Sequence, residues 1–256
     1  MTGFTVSYSP ALDELIQHEG FQCTGVEVGP YFSLSEVKRI CRKLTGWRVE
    51  FHASYLGLLP FTRPLLQSYL KATQSRWVSC HVRLLSTLQI WLGLHARIYL
   101  PPSNPAQNQR KMIETALRLK QWAPLPLILE NMPCRHLNQR IEADPGITCE
   151  VLQATGCDLL LDLAHARVGA MFFGMQPADY LELLPLDKVR QIHVSGPRMR
   201  GDTLYDAHES MNEEDYRLLE WTLARTHPEV VTLEYFRDRD ALREQIHRIM
   251  SILGQS

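Results

Sequence analysis

The chain has 256 residues, 45% of them hydrophobic and 21% charged, with a formal net charge of −1. That is ordinary globular composition, in a chain long enough to bury a sizeable core without disulfide staples. The near-neutral balance excludes a global electrostatic pull towards nucleic acid or an anionic membrane.

In chain order, Phe4–Tyr8 and Gly25–Val28 read as short β-branched or apolar strands. Ser33-Leu-Ser-Glu36 has the form of a capping box, and Val37, Ile40, Cys41 and Leu44 then recur at helical spacing. Arg48–His52 and Trp77–Val82 are the third and fourth strands, and the Pro-rich, polar stretch Pro101–Gln109 is expected to be a long loop. Leu127–Glu130, Leu159–Asp162 and Val189–Val194 follow as strands, and Pro197–Ser210 reads as a second long loop. Asn212 with Asp215 caps a helix whose stripe is Tyr216, Leu219 and Leu223. Val230–Glu234 is the eighth strand, and a last helix from near Asp238 sets Leu242, Ile246, Ile249 and Leu253 on one face. Strands alternating with helices imply parallel pairing and right-handed crossovers. Eight such units in this length predict a single (β/α)8 TIM barrel over residues 1–256, with a doubly wound open sheet as the rival.

Six cysteines (Cys23, Cys41, Cys80, Cys134, Cys149, Cys157) are scattered with no C-x-x-C pair. Met1 to Pro10 lacks the basic start and apolar run of a signal peptide, and no stretch is long and apolar enough to span a bilayer. Reduced thiols in a cytoplasmic protein are the expectation.

The ends of the expected strands repeatedly carry metal-binding side chains. Strand three ends in His52 and strand four in His81; strand five ends in Glu130-Asn131. Strand six gives Asp162-Leu-Ala-His165, strand seven His193, the loop beyond it Asp206-Ala-His208, and strand eight Glu234. In a barrel of parallel strands all these ends open onto one face. Ionisable groups directly after apolar strands are costly to desolvate unless they are paired or metal-bound. Singly, His52 or His81 reads as a hydrogen-bonded structural residue, Glu130 or Glu234 as half of a buried ion pair, and the two Asp/His motifs as weak. The ordered set, each member at a strand end, points instead to metal. Imidazole and carboxylate without thiolate suit zinc, iron or manganese, and carboxylates that bridge neighbouring ions favour a multinuclear centre. His18, His95, His136, His227 and His247 fall elsewhere and read as surface or packing residues.

Other chemistries lack a motif: there is no G-x-G-x-x-G, P-loop or G-x-S-x-G. Cys80 and His81 are consecutive in a strand and so face opposite ways, which argues against a catalytic pair. Cys134 reads as a buried, inert thiol. Arg198 and Arg200, on the second long loop, are candidates for a substrate anion or plain solvated charges.

The chain resembles the multinuclear non-haem iron-dependent oxidases, a group of xylose-isomerase-like barrels that includes the methanobactin biosynthetic oxidase. The resemblance covers nearly the whole chain and is strongest from Leu127 to Arg243. It is carried by Leu-Glu130-Asn131, Leu-Leu-Leu-Asp162-Leu-Ala-His165, Tyr180-Leu-x3-Pro185-Leu-Asp-Lys-Val189, Ile192-His193-Val-Ser-Gly-Pro197, Asp206-Ala-His208 and Thr232-Leu-Glu234-Tyr. Glu27, in Val-Glu-Val-Gly, matches the family's early strand. The resemblance implies an enzyme with two or three irons that activates dioxygen and oxidises cysteines of a ribosomally made precursor peptide, with a partner protein that helps present the peptide. It implies His52, His81, Glu130, Asp162, His165, His193, Asp206, His208 and Glu234 as ligands, with Asn131 as the catalytic residue beside them. The chain departs from many relatives at His165, where they carry Asn, and at Cys80, where they carry an acid. The same ordered set also resembles endonuclease IV, a three-zinc phosphodiesterase, but the neutral charge argues against a nucleic-acid partner. A sugar isomerase, the third reading, needs fewer histidines and a catalytic Lys near its metals.

Overall fold

The computed structural model describes residues 2–19, 23–53, 63–81 and 104–255; Val82, His95 and residues 101–103 lie outside them. Strands β1 (Gly3–Ser7), β2 (Gly25–Val28), β3 (Arg48–His52), β4 (Val78–His81), β5 (Leu127–Glu130), β6 (Asp158–Asp162) and β7 (Val189–Val194) are followed by β8 (Gly196–Arg200), β9 (Thr203–Glu209) and β10 (Val230–Leu233). All except β8 and β9 close a parallel barrel in the order β1–β10–β7–β6–β5–β4–β3–β2. The helices are α1 (Pro10–Glu19), α2 (Leu34–Lys43), α3 (Arg63–Thr73), α4 (Pro105–Trp122), α5 (Pro145–Thr155), α6 (Leu163–Phe173), α7 (Pro177–Glu182), α8 (Glu213–Leu223) and α9 (Arg239–Ile252). The fold is the expected (β/α)8 barrel.

Strand alternation decides what each wall presents. Val49 and Phe51 of β3, Val78 and Cys80 of β4, and Ile192 and Val194 of β7 join the main apolar core with the helix stripes. Their neighbours Glu50, His52, Ser79, His81, Gln191 and His193 alternate with them and turn inward. The interior is therefore layered. Trp77, Ile128, Leu160 and Val230 form a separate buried apolar plug. Above it Thr5, Gln191 and Thr232 are hydrogen-bonded to one another. The ionisable residues occupy the C-terminal mouth.

The caps form as read. Glu36 N–H donates to Ser33 Oγ (3.3 Å) and Ser33 N–H to Glu36 Oε2 (2.7 Å) at the start of α2. Asn212 and Asp215 make the reciprocal pair at α8, and Asp238 caps α9. His18, His136, His227 and His247 are exposed.

Two expectations of long loops are corrected. Of Pro101–Gln109, residues 105–109 are the first turns of α4: Asn104 Oδ1 accepts from Ala106 N–H and Pro105 takes the first turn, where a missing N–H costs nothing. The Pro197–Ser210 stretch is largely the antiparallel hairpin β8–β9, turning at Gly201, whose φ of 61° is left-handed. Every residue of β9 is half-buried, so no alternation of apolar and polar residues marks it as a strand. Among the described residues no helix is long and apolar enough to cross a membrane.

Candidate metal centre

Barrel closure and the β8–β9 hairpin together gather every one of the nine expected residues, and add Glu27. His81 and Glu130 are direct neighbours on β4 and β5, and Asp162 faces His193 across β6 and β7. Glu130 is the hub. Its Oε2 lies 2.9 Å from His81 Nε2 and 3.3 Å from His52 Nε2, and its Oε1 lies 3.2 Å from His165 Nδ1. His193, fully buried, stands between Glu27 (Nε2 to Oε1, 3.2 Å) and Glu234 (Nδ1 to Oε2, 3.4 Å). Asp206 Oδ2 is 3.2 Å from both His165 Nε2 and His208 Nε2.

Three groups bring donor atoms within 4.8 Å of one another and can hold a metal ion: His52, His81 and Glu130; Glu27, His193 and Glu234; Glu130, Asp162 and His193. They overlap at Glu130 and His193. A carboxylate can serve two ions through its two oxygens, so the overlap at Glu130 is that of a bridging ligand. Buried oxygens Asp162 Oδ2 and Asp206 Oδ1 have no hydrogen-bond partner among the described residues. Buried acceptors are ordinarily satisfied, so these atoms fit a cation. Glu27 was read only as matching the family's early strand and drew no ligand expectation. The inward register shared with His52 and His193 was the available signal.

Asp162 has two duties. Its Oδ1 accepts from His165 N–H (2.7 Å) as the cap of α6, which leaves Oδ2 for the cluster. The D-x-x-H spacing is thus a capping signature as well as a pair of donors.

Electrostatics follow from burial. Burial pushes the His81 imidazole down to about 4, so it is a neutral donor near pH 7. Burial likewise pushes the Asp162 carboxyl up to about 7, against the pull of His165. For His193 burial is outweighed by Glu27 and Glu234, and for His165 by Asp162 and Asp206, so both are held well above the usual imidazole range. His208 opposes burial with its bond to Asp206 and rises to about 9. Glu130 stays ionised well below its ordinary value, burial being outweighed by His81 and His52. Protonated imidazoles therefore supply the positive charge these carboxylates need, the role a divalent cation takes over.

The hairpin supplies Asp206 and His208 from outside the barrel wall. His208 has φ 46°, a left-handed conformation that is strained for a side chain bearing a Cβ and tends to occur at functional sites. The hairpin is held at its base by Gly196, where an added Cβ would collide with the Ser210 and Glu209 carbonyls. Gly196→Ala is expected to cost roughly 1–3 kcal/mol, because the obstacle is backbone. Urea denaturation reads the loss, and a variant as stable as wild type would refute the close approach. Arg198 is spent on the hairpin itself, donating to the Pro197 and Ser210 carbonyls, and Arg200 lies over the Tyr205 ring at 5.2 Å.

A cavity of about 400 Å³ opens over the cluster. Glu27, His52, His81, Glu130, His165, Asp206, His208 and Glu234 line its floor and one side, and Tyr8, Tyr31, Phe32 and Phe236 the other. Asn131 is buried and does not line it. Its Nδ2 donates to Asp162 O (3.0 Å), its Oδ1 accepts from Asp162 N–H (2.8 Å), and its own carbonyl lies 2.9 Å from His165 Nδ1. Cys80 and Cys134 are buried, and burial pushes the Cys134 thiol up to about 12.

The family described as RiPP precursor modification enzyme MbnB/TglH/ChrH matches residues 60–253. The chain belongs to this family. Among its relatives, a UPF0276 protein of Bordetella pertussis is 36% identical over 127 residues, 46% of this chain and 43% of the relative. Another UPF0276 protein, of Caulobacter vibrioides, is 33% identical over 118 residues, 45% of this chain and 41% of its own. The match thus spans less than half the length of these curated relatives. The crystal structure of IOLI protein with a binding zinc atom superposes with a TM-score of 0.62 at 11% identity, over 99% of each chain. A putative xylose isomerase from Rhodospirillum rubrum gives 0.58 at 14% identity, over 100% of each. These two likenesses show the xylose-isomerase-like barrel.

Proposed function

We propose that this member of the RiPP modification family holds two or three iron ions and uses dioxygen to oxidise cysteine residues of a ribosomally made precursor peptide, presented by a partner protein. The observation that carries the reading is the overlap of three donor groups at Glu130 and His193, with Glu130 on the lining of an open cavity and His193 fully buried. Glu27, His193 and Glu234 would hold one ion and His52, His81 and Glu130 another. A third would draw on Asp162, His165, Asp206 and His208, with Glu130 bridging. A neutral imidazole offers one lone pair, so His193 serves a single ion.

Bound iron supplies the redox chemistry, with dioxygen as the electron acceptor. The chain's own side chains do the rest. The protein brings no thiolate to the cluster, so an incoming cysteine thiol is the softest donor there. Asp206 Oδ1, buried and without a hydrogen-bond partner among the described residues, would join the third ion's donors. The Tyr31 and Phe32 rings meet at 4.8 Å in a tilted contact, and Tyr69 Oη donates to the Phe32 carbonyl, fixing a wall to grip residues flanking the cysteine. Asn131 acts by holding the ends of β5 and β6 in register beneath Asp162 and His165 rather than by touching substrate.

Metal analysis by inductively coupled plasma mass spectrometry on anaerobically purified protein tests the reading. Two or more irons per chain are expected. Stoichiometric zinc with little iron would move the assignment to a phosphodiesterase, and a chain without bound metal would sink it. Uptake should also depend on pH in a defined direction. His165, His193 and His208 are raised, the last to about 9, so at neutral pH an ion must displace their protons. Affinity is expected to climb between pH 6 and 9 with proton release, measured by calorimetry in buffers of different ionisation enthalpy. Uptake independent of both pH and buffer would contradict that order.

A further inference from the structure

Gln191 is two residues before His193 on β7, so both turn inward, with Gln191 one layer deeper. It is fully buried, and every polar atom of its amide is engaged. Oε1 accepts from the Trp77 indole N–H at 2.9 Å. Nε2 lies 2.7 Å from Glu27 Oε2, 2.8 Å from Thr232 Oγ1 and 3.0 Å from His193 Nε2. An indole nitrogen only donates, so the amide has one allowed orientation: carbonyl towards Trp77, NH2 towards Glu27. Flipped, it would set a carbonyl oxygen against the Glu27 carboxylate and leave the indole N–H facing a donor. Two N–H groups meet three acceptors, and the two shorter distances belong to Glu27 and Thr232. The His193 ring nitrogen and Glu27 Oε1 are then left facing each other at 3.2 Å.

We propose that Gln191, locked by Trp77, is the positioning residue for the Glu27–His193–Glu234 ion: it engages Glu27 Oε2 from below and leaves Oε1 and His193 to the metal. This rests on the proposed function in requiring that an ion bind there. The link is specific to that ion, because Gln191 makes no hydrogen bond to His52, His81 or Glu130. The latter trio has its own support, Ser79 Oγ at 2.9 Å from His52 Nδ1. Groups that orient a ligand from the second layer are worth roughly 10–100-fold in metal affinity.

The test loads wild type, Gln191→Met and Trp77→Phe anaerobically with ferrous iron alone, then follows retained iron during challenge with a ferrous chelator. Gln191→Met keeps the volume and removes the amide; Trp77→Phe keeps an aromatic ring and removes the indole N–H together with part of the ring's volume, which covers the case in which the first variant fails to fold. Both are expected to lose one iron equivalent roughly 10–100-fold more readily than wild type while holding the remainder. Gln191→Met in a Glu27→Gln background should cost no further iron, whereas in a His81→Ala background the losses should add. Wild-type retention in both single variants, or equal weakening of all the irons, would overturn the proposal. Wild type that takes up no iron would instead fail the proposed function itself.

Discussion

Glu130→Gln is expected to cost this chain more than one bound ion, with loss of activity, and His193→Ala to cost a single ion from the other side of the cluster. Glu130 belongs to two of the three donor groups and has two oxygens to share between them, so its change removes a ligand from more than one ion, whereas His193 has one lone pair to give. Glu130 reaches His52 and His81 with one oxygen and His165 with the other. The amide in its place turns one of those oxygens into a donor. Replacing an outer-layer group already costs roughly 10–100-fold, so loss of a shared ligand should lower metal affinity by about 100-fold or more. Metal content after desalting measures it, with Asn131→Asp as a neighbour outside the three groups. A Glu130→Gln protein that keeps its full complement of metal would remove the bridging role.

Trp77→Ala is expected to cost about 3–5 kcal/mol, the range for emptying a buried aromatic position. Trp77 is the largest member of the apolar plug with Ile128, Leu160 and Val230, and the Arg76 guanidinium lies over its ring at 4.2 Å. A smaller side chain leaves a cavity that the closed barrel cannot collapse into, and it strands the Gln191 carbonyl. In a chain of this size the loss corresponds to a fall in melting temperature of roughly 6–20 °C. Trp77→Phe, which keeps an aromatic ring, should fall well short of that. Equal melting temperatures for the two variants would show that the indole N–H, and not the ring's volume, carries the stability.

How much of this was legible beforehand differs by element. The barrel strands appear within one or two residues of their expected bounds, because short apolar, β-branched runs are a local signal. The caps at Ser33, Asn212 and Asp238 were equally local, each a side chain serving N–H groups two or three residues on. The β8–β9 hairpin was not legible, since two short strands that bury neither face fully carry no alternation to detect. The start of α4 was masked by proline, which marks loops and first helical turns alike.

For the site, the sequence by itself determined the identity of the donors: imidazoles and carboxylates at the ends of apolar strands, on a fold that turns every such end to one face. The tertiary structure alone decided which of these candidate donors come together. It brought Glu27 to His193, 166 positions away, and drew Asp206 and His208 in from a hairpin outside the wall. It also withdrew Asn131 from the cavity by engaging its amide with Asp162. Strand periodicity is a nearest-neighbour property and can be read along the chain. Barrel closure and stagger set distances between residues from opposite ends of the chain, and no local pattern encodes those.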